Sequence, residues 1–285
     1  MPARRPNLFI VGAPRSGTTS MWAWLWQHPQ VFMSPWKEPM FFGRDLHDPE
    51  RVPGEEEYLA LFARAGRRKV VGEGSVWYLH SSTAAREIHD FAPEARILLL
   101  LRNPVDAMLS LHHHHVYAGY QGIRDFDAAL ATQGEVAPSQ ETPSPRSFRE
   151  TVSYRGVFRY APQVERYLDV FGDEPVHVVL FHDLVQDPAG TYARVLRFLG
   201  VRDDHRPRFV THNPQRRFPF PRLSRALGRF RATQMLRKAL ARPFSPTLSP
   251  SRRSQLIREM EDDVRALEAL LGLDLSAWRM ESGGA

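Results

Sequence analysis

The chain has 285 residues, 42% of them hydrophobic and 25% charged, which is enough apolar material for a sizeable folded core. It contains no cysteine, which excludes disulfides, thiolate metal sites and a cysteine nucleophile and fits a reducing, cytoplasmic location as the expectation. The net charge of +6 is local: eleven Lys and Arg, with no Asp or Glu, lie between Arg206 and Arg242, a composition that suits either an anionic ligand or a solvated basic face.

Leu8 to Val11 reads as the first strand, ended by Gly12 and Pro14, and is too short for the core of a secretory signal. No stretch approaches the length of a membrane span. A helix is predicted from Thr18 to Gln27, where Met21/Leu25 and Trp22/Trp26 pair at four-residue spacing. Lys69 to Val71 reads as a short strand and Ala84 to Phe91 as a helix. Ile97 to Leu101 is an unbroken aliphatic run, as expected of a strand buried on both faces. Asn103-Pro104 ends it, and Pro104 opens a helix running to about His115.

Three prolines between Gly134 and Ser147, at 138, 143 and 145, predict an exposed loop. A helix from Tyr160 to Phe171 and a strand from Val176 to Phe181 follow. Asp187-Pro188 and Ser249-Pro250 each supply an N-cap and first-turn proline for a helix. The first of these ends near Gly200. The second carries an apolar stripe at Leu256, Met260, Val264, Leu267 and Leu271. Strands alternating with helices predict an α/β fold with a largely parallel central sheet. No linker divides the chain, so residues 1–285 are expected to form a single domain.

Gly12-Ala13-Pro14-Arg15-Ser16-Gly17-Thr18-Thr19-Ser20 joins the first strand to the first helix, where a phosphate loop belongs. Backbone N–H groups and the positive end of a helix dipole converge there and stabilise an anion. The spacing is that of the signature Gly-x-x-x-x-Gly-Lys-Ser/Thr, but Thr18 stands in the lysine position. That substitution argues against hydrolysis of ATP or GTP. The cation sits instead at Arg15, with hydroxyls at Ser16, Thr18, Thr19 and Ser20.

Arg102 closes the aliphatic strand, and Ser110 lies eight residues on. Ligands of parallel sheets collect at the carboxyl ends of the strands, so Arg102 belongs on the same rim as Arg15. An arginine fork with a serine hydroxyl suits a second phosphate, although Arg102 can equally be read as paired to Asp106. Two phosphate sites on one rim imply a nucleoside phosphorylated at two positions.

Gly12 to Ser20, then Lys37-Glu38-Pro39, then Arg102-Asn103-Pro104 with Ser110, resembles the sulfotransferases that use 3'-phosphoadenosine 5'-phosphosulfate. The likeness is to the branch holding heparan sulfate N- and 3-O-sulfotransferases and bacterial relatives. It continues through Arg155-Gly156, Phe198-Leu199-Gly200 and Leu267 to Gly272, and ends at Trp278. The resemblance implies a P-loop-like three-layer sandwich. It implies that Arg15, Ser16, Gly17, Thr18, Thr19 and Ser20 hold the 5'-phosphosulfate, and that Arg102 and Ser110 hold the 3'-phosphate. It assigns the general base to Glu38 and stabilisation of the leaving group to Arg15. It also places Arg222, after Phe218-Pro219-Phe220-Pro221, in a loop over the nucleotide. Many relatives carry lysine at the place of Arg15, and the animal heparan enzymes carry it at the place of Gly74.

The expected acceptor is a hydroxyl or amine of a carbohydrate or small molecule, with no metal, nucleic acid or membrane partner. His112 to His115 offers at most two aligned ligands on one helix face and no nearby carboxylate, so a metal site is not expected. One of these histidines, or His80, stands as an alternative base. Lys37 can assist at the sulfuryl group or face solvent, and Glu73 and Trp77 can line or support the acceptor cleft. A nucleotide-dependent phosphotransferase and a non-catalytic polyanion binder remain the competing readings.

Overall fold

The computed structural model describes residues 4–46, 48, 51–118, 120–132, 153–210, 216–217, 242–243 and 248–280. The aliphatic run falls at the centre of a sheet, as its composition requires. Strands β1 (Leu8–Gly12), β2 (Val31–Met33), β3 (Val70–Gly74), β4 (Arg96–Leu101) and β5 (Val176–Leu180) pair in the order β2-β3-β1-β4-β5. All four pairings are parallel. β1 and β3 are buried along their whole length, as is β4 after Arg96.

Alternation along these strands divides the core. Phe9, Val11, Ile97, Leu99 and Leu101 face one side, and Leu8, Ile10, Leu98 and Leu100 the other. The first side is covered by α3 (Ala84–Phe91), α4 (Pro104–Ala118), α7 (Ala161–Phe171) and α10 (Pro250–Leu271), through Ile88, Met108, Tyr167 and Met260 among others. The second is covered by α1 (Thr18–Trp26) and α9 (Pro188–Phe198), through Met21, Leu25, Tyr192 and Leu196. The result is the expected three-layer α/β/α sandwich. The stripe on α10 packs as core, with Leu271 at its partly buried end.

Short elements escaped the sequence reading. β2 has three residues, too few to display a period. α2 (Glu55–Ala60) opens with Glu55, Glu56 and Glu57, which suit the positive end of a helix dipole but look like a solvated charge run. α5 (Phe126–Ala131), α6 (Tyr154–Val157) and α8 (Phe181–Gln186) are each under two turns. Phe181, expected to end β5, instead starts α8. A two-stranded antiparallel pair joins β6 (Arg216–Arg217) to β7 (Arg242–Pro243). The proline-rich stretch from 134 to 147 and Arg222 lie outside the described residues. Among the described residues, no helix is long and apolar enough to cross a membrane.

Candidate active site

The strand order fixes where a ligand belongs. The chain leaves β1 toward β2 on one side of the sheet and leaves β4 toward β5 on the other. The crevice between the carboxyl ends of β1 and β4 is therefore the topological switch point. The segments after these two strands carry Arg15 and Arg102.

The loop after β1 is bound to β4 by a hydrogen bond from the Ala13 N–H to the Leu100 carbonyl at 2.6 Å. Arg15 stands at its crown with φ of 63°, a left-handed conformation unusual for a side chain with a Cβ. Gly17 caps α1 with φ of 86°, and an added Cβ there would come within 2.4 Å of the Leu184 side chain. Only glycine fits that combination of backbone and close approach. Ser16, Thr18 and Ser20 are buried within the turn, while Thr19 is half-buried.

The second predicted site meets the first. Arg15 donates from Nε to Ser110 Oγ on α4 at 3.0 Å. Arg102 donates from Nη1 to the Arg15 backbone carbonyl at 3.2 Å and lies over the Phe181 ring, 4.6 Å from its centroid. Asp106, the other partner considered for Arg102, is bonded to α10, where its Oδ1 receives Arg253 Nη1 at 2.8 Å, while its charge still reaches Arg102. Burial and the charge of Arg102 push the Arg15 guanidinium down to about 10, and Glu38 pulls it the other way. Burial likewise lowers Arg102. An anion in this crevice would relieve both effects.

Glu38 enters from the loop after β2. Ser34 donates its N–H to the Gly72 carbonyl at 2.7 Å, and Glu38 donates to that of Gly74 at 2.9 Å, so the loop follows the end of β3. Lys37 Nζ donates to Glu38 Oε1 at 2.7 Å. Glu38 and Met40 have φ of 63° and 52°. With Arg15 these are the non-glycine residues of positive φ among the described residues, and they gather where the chemistry is expected.

Not every candidate joins this group. Glu73 is wholly buried beneath the Glu38 loop and supports the cleft instead of lining it. Trp77 is also buried and stacks on His115. His112 is inside the fold, its ring nitrogens facing the Tyr154 hydroxyl at 3.1 Å and the Arg124 carbonyl at 3.0 Å. The charged neighbours of His80 are Asp45 and Arg166. The sequence reading missed Phe181 as the platform of Arg102. Its position directly after β5, on the same rim, was the available signal.

A parallel sandwich with a cationic loop after β1 and a second arginine at the neighbouring strand end defines a P-loop-like α/β fold with an anion-receptive crevice at its switch point. Residues 5–258 match the sulfotransferase domain family, and the chain belongs to that family. It is similar to a crystal structure of a sulfotransferase from Alicyclobacillus acidocaldarius, with 33% identity and a TM-score of 0.77, covering 97% of this chain and 100% of that one. It is 26% identical over 285 residues to mouse bifunctional heparan sulfate N-deacetylase/N-sulfotransferase 4, covering 96% of this chain and 31% of the relative. Mouse heparan sulfate glucosamine 3-O-sulfotransferase 6 is 28% identical over 244 residues, covering 85% of this chain and 66% of the relative. The chain thus spans under a third of the first of these mouse enzymes and about two thirds of the second.

Proposed function

We propose that the protein transfers a sulfuryl group from 3'-phosphoadenosine 5'-phosphosulfate to a hydroxyl or amine of a carbohydrate or small-molecule acceptor. The observation that carries this reading is the position of Arg15. Its guanidinium is bonded to Ser110, sits beside Arg102 and feels the charge of Glu38. The donor fits the residues present, because two partly desolvated guanidiniums with a buried hydroxyl complement a doubly phosphorylated nucleoside.

In the proposed reaction the acceptor oxygen or nitrogen forms a bond to sulfur as the bond from sulfur to the 5'-phosphate oxygen breaks. Glu38 takes the proton released by the acceptor. Lys37 Nζ, 2.7 Å from Glu38 Oε1, orients the carboxylate. Arg15, the loop N–H groups and the hydroxyls of Thr18 and Thr19 stabilise the negative charge growing on the leaving phosphate. Arg102 and Ser110 orient the other end of the nucleotide, and Arg222 is proposed to close over it.

The test is a panel of hydroxyl and amine acceptors incubated with the protein and sulfur-labelled donor, followed by identification of the labelled atom. Labelled product that disappears in Arg15→Ala is the expected result. Failure of the protein to bind adenosine 3',5'-bisphosphate in calorimetry would overturn the reading.

A further inference from the structure

We propose that Glu73 is a positioning residue for the base: its buried carboxyl sets the direction of two hydroxyl groups, which in turn hold the strained turn that presents Glu38 to Arg15. The inference rests on the assignment of Glu38 as the base.

Glu73 lies near the end of β3 and has no exposed surface. Ser75 Oγ donates to its Oε2 at 2.8 Å and Tyr58 of α2 donates to its Oε1 at 3.3 Å. The Tyr78 hydroxyl also hydrogen-bonds this carboxyl. Two of these hydroxyls face the Glu38 loop as well. The Met40 N–H donates to Ser75 Oγ at 3.2 Å, and the Phe42 N–H donates to the Tyr78 hydroxyl at 3.2 Å.

The physical content is in the protons. An ionised carboxyl only accepts hydrogen bonds, and each hydroxyl has one proton to give. Ser75 and Tyr78 therefore turn their protons toward Glu73, which leaves their lone pairs free to receive the N–H groups of Met40 and Phe42. A protonated or amide side chain at 73 brings a donor of its own, which turns the proton of one of the three hydroxyls away; where that hydroxyl is Ser75 or Tyr78, its bond to the loop N–H is weakened or lost. The Glu38 N–H bond to Gly74 anchors the start of this turn, and with Glu38 and Met40 both at left-handed φ the Ser75 and Tyr78 bonds help to hold the stretch that follows.

The groups facing Glu73 come from every side. Tyr58 of α2, Ser75 and Tyr78 after β3 and the Lys37 charge from the Glu38 loop all act on it. Tyr167 of α7 feels its charge in turn. Burial outweighs the hydrogen bonds and Lys37, and pushes the Glu73 carboxyl up to about 7. Its ionisation state changes near neutral pH, and above that range the carboxylate holds the loop.

The experiment measures kcat, KM and affinity for adenosine 3',5'-bisphosphate from pH 5.5 to 9 in the whole chain, using an acceptor from the panel above. Glu73→Gln is expected to lower kcat by about 10- to 100-fold, since small misplacements of a reacting group have effects of that size. The limb of the wild-type profile that falls as pH drops through about 7 should vanish in this variant, with nucleotide affinity unchanged. Ser75→Ala tests the link should Glu73→Gln not fold, and is expected to lower kcat in the same way, whereas Ser75→Thr keeps the hydroxyl and the rate. A Glu73→Gln or Ser75→Ala protein with wild-type kcat and an unchanged pH profile overturns the proposal, as does a loss of kcat matched by equal loss of nucleotide binding. Glu38→Gln is the reference: a normal rate there sinks the base assignment itself, whereas a slow Glu38→Gln beside normal Glu73 and Ser75 variants sinks only the positioning role.

Discussion

Arg102 gives one guanidinium N–H to the backbone carbonyl of Arg15 at 3.2 Å, so the residue after β4 sets the crown of the loop after β1. The two candidate phosphate sites share this contact and the Ser110 hydroxyl, and form one cationic surface instead of two separate pockets.

That sharing makes the two arginines interdependent. Arg15→Ala and Arg102→Ala should each weaken calorimetric binding of adenosine 3',5'-bisphosphate by about 2–5 kcal/mol, as truncating one partner of a buried charged contact does. The double variant should lose less than the sum of the two, because each single change already disturbs the other site. Strict additivity would show that the two groups act separately.

Arg15→Lys separates charge from geometry. Lysine keeps the cation but lacks the Nε–H that reaches Ser110 at 3.0 Å. Affinity for the bisphosphate should fall by about tenfold, the worth of one hydrogen bond to a charged group. Ser110→Ala should produce a loss of similar size in the parent protein and a smaller one in the Arg15→Lys background, where only the contact of Ser110 with the nucleotide is left to lose.

Glu38→Gln should reduce transfer by about 10²- to 10⁴-fold while leaving bisphosphate affinity near normal, since a positioned base contributes on that scale. Steady-state rates with labelled donor, compared with calorimetry on the same preparation, check the split between chemistry and binding.

Gly17→Ala places a Cβ within 2.4 Å of Leu184 at a φ of 86°. Steric conflict and left-handed strain together should lower stability by about 1–3 kcal/mol. A thermal melt should fall by several degrees. Leu184→Ala in the same chain should recover part of that loss by opening space, though not the part due to φ.

Burial lowers the His112 imidazole below its ordinary range. The folded state therefore disfavours its charged form, and the unfolded chain binds more protons once the pH drops below about 6.5. The stabilisation from neutral His112 is present above that value and is lost as the pH falls through the lower, folded value. A His112→Phe protein should be less stable at pH 7.5, having lost the Tyr154 and Arg124 contacts, and should show a shallower decline in melting temperature between pH 7 and 5.

The parts of this fold legible in the sequence are those with strong local signals. Ile97 to Leu101 carries five aliphatic residues in a row, and Pro104, Pro188 and Pro250 each mark a first helical turn. The glycine-bounded loop at Arg15 was placed correctly between β1 and α1. Contacts that depend on distant segments had no local trace. The Phe181 ring under Arg102 comes from a strand-to-helix junction about eighty residues away, so only the sheet order reveals it. The choice of Arg253 as the partner of Asp106 lies with α10, which local spacing around Arg102 does not report. From the sequence Glu73, at a strand end, can either line or support the cleft. Its side chain turns inward because β3 is an interior strand with both faces covered.

The wholly parallel pairing of the five-stranded sheet bears on how the chain reaches its native state. Leu8 must find Arg96, and Val31 must find Val70, before either ladder exists, and among the described residues no hairpin starts this sheet. Such distant pairings place a protein toward the slow end of folding rates and leave strand edges open for longer. Refolding yield should therefore fall steeply as protein concentration rises, with aggregation competing at the unpaired edges of β2 and β5.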